Sequence, residues 1–227
     1  MAVARKETVN PDEAGVYHCV SRCVRRAWLC GKDPYNGTDY GHRKEWIQQR
    51  LALLGRMFAI DVCGYAIMTN HIHLVLRNQP DQAKQHSDRS IATRWLSIYS
   101  GKYIHEDYPP EPNEAKIDRL VADKRYIATL RTRLSSISWF MKTLNENVAR
   151  KANAEDECTG RFWEGRFKCT RLLDSSAVLA CMVYVDLNPV RAGIAATPQQ
   201  SEYTSIRLRW DGRRARQFSQ RPRHTAE

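Results

Sequence analysis

Along residues 16–22 the chain reads Val-Tyr-His-Cys-Val-Ser-Arg, a β-branched and aromatic run that predicts a first strand. Gly, Asp, Asn and Pro then gather over residues 31–41, the composition of a linker. Over residues 42–58, Trp46, Ile47, Leu51, Leu54, Met57 and Phe58 recur at the spacing of one helix face, which predicts an amphipathic helix. Two strand-like runs follow, residues 61–68 and 71–77, joined by the short polar pair Thr69-Asn70 as in a hairpin. Strand, helix, strand, strand in this order is the opening half of a ferredoxin-like α+β layer, an antiparallel sheet with flanking helices.

Between residues 78 and 133 the character changes. Charged residues, Gln and the cluster Pro109-Pro110-Glu111-Pro112 surround helical patterns near residues 90–99 and 114–133, which reads as a helical insertion elaborating one domain without a second core. A helix resumes over residues 134–151, with Ile137, Phe140, Met141 and Leu144 on one face. The basic and aromatic run Arg161-Phe-Trp-Glu-Gly-Arg-Phe-Lys168 leads into a further strand through Leu173. A final helix begins at Asp174 or Ser175, either of which can cap it, and is predicted to stop by Asn188 because Pro189 follows. Residues 207–227 carry many arginines and little to bury, so the reading is a domain over residues 1–206 and a flexible basic tail.

At 227 residues the chain can bury a sizeable core and is long enough for an enzyme. Its 36 Lys and Arg against 25 Asp and Glu give a net charge of +11, which favours a polyanionic partner, nucleic acid first and an anionic membrane second. No apolar run approaches the roughly 18 residues of a membrane span, and the polar start lacks a signal peptide's apolar core, so a cytoplasmic protein with no membrane partner is expected. The seven cysteines are odd in number, scattered and without a C-x-x-C pair, which suits buried thiols in a reducing compartment. A zinc knuckle from His18, Cys19 and Cys23 matches none of the usual structural-zinc spacings.

The chemistry begins at His71-Ile72-His73. In an extended strand His71, His73 and Val75 share one face while Ile72, Leu74 and Leu76 share the other, so two imidazoles project side by side from a strand that can bury its opposite face. Alone, such a pair is more often inert than catalytic. A second element is Tyr184-Val-Asp-Leu-Asn188-Pro189, where Tyr184 and Asn188, four apart on a helix, stack on one face. A phenol beside an amide suits a nucleophile beside a metal ligand, although a helical Tyr is commonly core and an Asn before Pro commonly closes a helix.

Taken in order, Tyr17-His-Cys-Val-Ser-Arg22, His71-Ile72-His73, the run from Gly160 to Lys168, and Tyr184-x-x-x-Asn188-Pro189 resemble the REP-associated tyrosine transposases. These are HUH single-strand DNA nucleases similar to the transposases of the insertion sequence 200 type. The resemblance covers residues 15–193 apart from the insertion, which is longer than in compact relatives. It implies that His71, His73 and Asn188 hold a divalent metal, Mg²⁺ or Mn²⁺, and that Tyr184 is the nucleophile, with all four residues catalytic. The implied activity is cleavage and rejoining of DNA near hairpin-forming, repeated palindromic sequences through a 5′-phosphotyrosine, without a nucleotide cofactor. The implied partner is single-stranded or hairpin DNA, and both monomers and homodimers occur among the relatives.

For DNA contact the candidates are Arg161, Trp163, Arg166 and Lys168, with Phe162 and Phe167 as further stacking surface, together with Arg22 and Arg191. Each has a plainer reading: the aromatics as core, the cations as a solvated face, Arg191 as a neutraliser of its helix C-terminus. Arg25 and Arg26 share the ambiguity of Arg22, and His18 reads as a packed or hydrogen-bonded strand residue rather than a third ligand. Two other functions stay open: a non-cleaving DNA-binding regulator derived from a transposase, and a metal-dependent hydrolase using activated water.

Overall fold

The structure, a computed structural model, describes residues 8–24, 29–33, 37–99 and 112–219. Arg25, Arg26, the residues from Pro109 to Glu111 and the end of the basic tail lie outside the described residues. Strands β1 (Gly15–Arg22), β2 (Ile60–Ile67), β3 (His71–Asn78) and β4 (Lys168–Leu172) form one antiparallel sheet in the order β2-β3-β1-β4. With α1 (Arg43–Met57) between β1 and β2, and α6 (Ile137–Glu155) leading into β4, this is the complete βαββαβ ferredoxin-like arrangement. Between β3 and α6 lie α2 (Pro80–Gln85), α3 (Asp88–Tyr99), α4 (Glu114–Ala122) and α5 (Lys124–Leu134). Helices α7 (Ser175–Arg191) and α8 (Ser205–Ser219) follow β4.

The sheet has two unlike faces because residues paired across antiparallel strands share a face. Tyr17 opposite Leu76, Cys19 opposite Leu74 and Ser21 opposite Ile72 form one face. It is buried against Ile47, Leu51 and Leu54 of α1 and Phe140, Met141, Leu144 and Val148 of α6. The other face carries His18 opposite Val75, Val20 opposite His73 and Arg22 opposite His71. There a second, smaller apolar cluster of Ala66, Met68, Val75 and Val185 forms beneath α7. Ile91, Ile98, Ile117, Ile127 and Leu130 of the inserted helices join the main core.

Several boundaries differ from the sequence reading, each for a local reason. The helical pattern over residues 114–133 is two helices, because Asp123 leaves helical geometry and its carboxylate accepts from Tyr126 N at 2.9 Å, capping α5. Asp174 caps α7 by accepting from Ala177 N at 2.8 Å. That helix does not stop at Asn188: it continues through Pro189 to Arg191, since one missing N–H near its end removes a single bond. It closes on Gly193 at φ 68°, with Ile194 N donating to Pro189 O at 2.8 Å and Gly193 N to Val190 O at 3.0 Å. The stretch from Arg207, expected as a flexible tail, is helical to Ser219. Its start is held where Ser205 Oγ donates to Asp186 Oδ1 at 2.9 Å and Arg209 pairs with the other oxygen of Asp186.

The hairpin at Thr69-Asn70 forms, but neither residue has positive φ, so it is not one of the primed turns. Backbone bonds hold it instead: Met68 N to His71 O at 2.9 Å, Cys30 N to Thr69 O at 2.9 Å and Cys23 N to Asn70 O at 3.0 Å. Elsewhere, Arg43 is 2% exposed, lies 4.0 Å from the Tyr40 ring, and ties the start of α1 to the end of α6 through Glu155, at 2.6 Å, and Asp156. Replacing Arg43 with Met withdraws the guanidinium from two partly covered carboxylates at a helix C-terminus, where negative charge is disfavoured, and leaves Glu155 only its contact with His42 at 2.5 Å among those it makes with α1 and its cap. The expected cost is about 2–3 kcal/mol in urea unfolding, below the range for wholly buried pairs because solvent reaches both acids. A loss under about 0.5 kcal/mol, as for a surface pair, contradicts the anchoring role.

Candidate active site

β3 brings His71 and His73 to the sheet face that α7 covers, and α7 ends there. Val185, Asp186 and Pro189 are the buried residues of α7, so the stripe beside them, Tyr184, Asn188 and Arg191, lies along the edge of the contact. Asn188 Nδ2 is 3.3 Å from His73 Nε2, although the two are 115 residues apart in sequence. The Tyr184 ring meets that of His73 edge-on with centroids 5.7 Å apart, and His71 lies 4.8 Å from His73 by the same measure. The structure therefore brings the histidine pair, the phenol and the amide together. Among the described residues no group of three His, Cys, Asp or Glu side chains is arranged to hold a metal ion.

The pair opens into a cleft of about 210 Å³ lined by Arg22, Glu164, Arg166, Lys168 and Tyr184 besides the histidines. Lys168 arrives through pairing of β4 with β1, opposite Val20, and so extends the His73 row across the sheet. Arg22 lies opposite His71 and makes an ion pair with Glu164 at 3.5 Å. Arg191 holds its guanidinium 5.6 Å from the Tyr184 ring centroid. Arg161 is exposed and does not line the cleft; it donates to the Glu164 carbonyl at 3.4 Å.

The aromatics of the basic run are core, not stacking surface. Phe162 and Phe167 are buried, and Trp163 is 9% exposed with its indole N–H donating to Asn145 O at 2.8 Å. The expectation that Trp163 stacks on bases is therefore corrected. The ring props up a short extension of the sheet in which Cys23 pairs with Trp163 and Glu164 N donates to Arg22 O at 2.9 Å. That extension sets the cleft wall.

Two residues beside the histidines, Asn70 and Glu164, escaped the sequence reading of the site, and the partner of a third, His18, was not legible there. Asn70 Oδ1 lies 2.6 Å from His71 Nδ1, and its only signal was its place next to His71. Glu164 stood inside the basic run without a role. His18, read as a packed or hydrogen-bonded strand residue, places Nε2 at 3.0 Å from His73 Nδ1, and its ring lies nearly parallel to that of His73.

Burial governs the electrostatics. Desolvation holds His73 down to about 3, with the neighbouring His71 and His18 adding to the effect. Desolvation likewise lowers His71, with Arg22 contributing, and lowers His18. All three imidazoles are thus neutral at pH 7 and ready to act as lone-pair donors. Because the unfolded chain takes up protons near 6.5 and the folded chain only below that, these groups stabilise the fold above about pH 6.5 and lose that contribution as pH falls. The melting temperature of the protein without metal is expected to fall more between about pH 7 and about pH 5 than that of a His71→Asn/His73→Asn variant. Equal losses exclude the histidine pair as the cause.

No protein-family model matches the chain, and no curated protein matches it in sequence. A solved structure similar to it in fold is that of a REP-associated tyrosine transposase bound to a REP hairpin, with a TM-score of 0.51 over 100% of this chain and 92% of that one. Identity is 10%, so the likeness is one of fold: the two share an α+β architecture, here a four-stranded antiparallel sheet with flanking helices.

Proposed function

We propose that the protein is a metal-dependent tyrosine transposase, a single-strand DNA endonuclease and strand transferase acting beside hairpin-forming palindromes. The observation that carries this reading is the convergence of Tyr184 and Asn188 on His71 and His73 at a cleft whose other charged residues are three cations and one acid. A structural role alone does not call for a half-exposed phenol, desolvated neutral imidazoles and a surplus of positive charge in one place.

The donor set fits a divalent cation. His71 and His73 are neutral, and the Asn188 amide sits at His73 Nε2, where a half-turn of the amide presents its oxygen instead of its nitrogen. Two imidazoles and an amide oxygen would leave positions open on Mg²⁺ or Mn²⁺ for phosphate oxygens and water. When bound, the cation polarises the scissile phosphate and offsets charge in the transition state.

The chain's own residues do the rest. Arg22, Arg166 and Lys168 hold backbone phosphates, and Arg191 places a guanidinium beside the nucleophile. Tyr184 Oη loses its proton to solvent and attacks phosphorus; the P–O3′ bond breaks, and the departing oxygen takes a proton to become a free 3′-OH. The strand then remains joined to Tyr184 through its 5′ phosphate. The phosphodiester energy is retained in that bond, so attack by a 3′-OH reverses the step and rejoins DNA without a nucleotide cofactor. One nucleophile per chain makes a full exchange the work of two active sites or two successive steps, open to a monomer or a homodimer.

Incubated with a hairpin oligonucleotide carrying a 5′ flank and Mn²⁺ or Mg²⁺, the wild type is expected to form a covalent adduct. Tyr184→Phe is expected to bind the same hairpin and form none. Turnover retained in Tyr184→Phe but lost in His73→Ala replaces this reading with hydrolysis by activated water, and a wild type that neither nicks nor links DNA with either metal leaves a DNA-binding regulator. The Arg166→Ala/Lys168→Ala variant is expected to lower the slope of log affinity against log salt by about 1.4, the value for two lost single-strand phosphate contacts. An unchanged slope removes these two cations from the DNA path.

A further inference from the structure

Two side chains with no role in the preceding chemistry sit behind the histidine pair, one on the far nitrogen of each ring. We infer that Asn70 and His18 are positioning residues that set the tautomers of His71 and His73, so that both rings turn an unprotonated Nε2 toward the cleft. The inference rests on the reading of the pair as metal ligands and adds to it the parts that make the lone pairs available.

For His71 the argument is one of valence. An amide oxygen only accepts, so the 2.6 Å contact between Asn70 Oδ1 and His71 Nδ1 requires the proton on Nδ1 and leaves the lone pair on Nε2. Asn70 is well placed to impose this, because its turn is pinned by the bond from Cys23 N to its carbonyl and by the closing bond from Met68 N to His71 O.

For His73 the argument is one of direction. The Asn188 Nδ2 group only donates, so at 3.3 Å it requires His73 Nε2 to accept, which puts the single proton of the neutral ring on Nδ1. That proton points at His18 Nε2, 3.0 Å away, which must then accept and carry its own proton on Nδ1. A single chain of bonds therefore runs from Asn188 through His73 to His18. If the amide turns to offer its oxygen to a cation, the bond to His18 still holds the His73 proton on Nδ1. Neither His18 nor Asn70 needs to touch metal or DNA to do this, in the way that outer partners commonly orient metal-binding histidines.

The test reads tautomers directly, in metal-free and DNA-free protein, by long-range ¹H–¹⁵N NMR of the imidazoles. His71 and His73 are expected as Nδ1–H tautomers in the wild type. Asn70→Leu is expected to turn His71 into a tautomer mixture and His18→Phe to do the same to His73. Asn70→Asp and His18→Gln, which keep an acceptor and control for folding, are expected to hold the wild-type state. Mn²⁺ titration followed by electron paramagnetic resonance is expected to show affinity about 10–100-fold weaker in the Leu and Phe variants. The Asp and Gln variants are expected to bind no more than a few-fold more weakly than the wild type. An Nε2–H tautomer in the wild type, or tautomers unmoved by Leu and Phe, overturns the inference. A wild type with the stated tautomers that takes up no metal overturns the metal-nuclease reading and leaves the tautomer assignment standing. Adduct formation with unmoved tautomers does the reverse.

Discussion

The contact between α7 and the histidine face of the sheet is the constraint on which the candidate site depends. The sheet offers a small apolar patch there, Ala66, Met68 and Val75, and Val185 closes over it. Half-buried Val16, Cys63, Leu172, Cys181 and Met182 widen that patch, and polar bonds complete the attachment: Asp186 is held by Ser205 and Arg209, while Ser205 Oγ also accepts from Tyr65 N at 3.0 Å. Burial pushes the Asp186 carboxyl upward, opposed by Ser205 and Arg209. The carboxylate that secures α7 lies midway between Tyr184 and Asn188, so any shift of the helix moves the phenol and the amide together. Helix α8 thus serves the site without reaching it.

Desolvation is the second organising effect. Imidazoles placed under a helix cannot keep a proton without a compensating charge, and the charge that acts on His71, that of Arg22, is of the wrong sign. Neutral rings must still satisfy their nitrogens, which explains the bonds to Asn70, His18 and Asn188. The same neutrality leaves the cleft's charge to Arg22, Arg166 and Lys168, partly offset by Glu164, and suits it to a phosphate backbone.

Much of the frame was legible from residue order because its causes are local. The alternation through β3 and the helical spacing of Ile47, Leu51 and Leu54 follow from side chains pointing where strand and helix geometry send them. Boundaries were less legible where one side chain decides them, as at Asp123, or where a proline is tolerated near a helix end, as at Pro189. The basic stretch after Arg207 looked like a tail because its anchors, Ser205 and Arg209, find their partner on α7 and not within their own segment.

The candidate site divides along the same line. By itself the sequence determined that His71 and His73 share a strand face and that Tyr184 and Asn188 share a helix face, since each pair is set by the geometry of a single element. Only the tertiary structure decided that the two faces meet, that Trp163 is buried among core residues and not offered to a base, and that Asn70 and His18 stand behind the imidazoles. Those outcomes depend on which surfaces pack and which polar groups lose water. Such choices are made between elements far apart in the chain, where no periodicity records them.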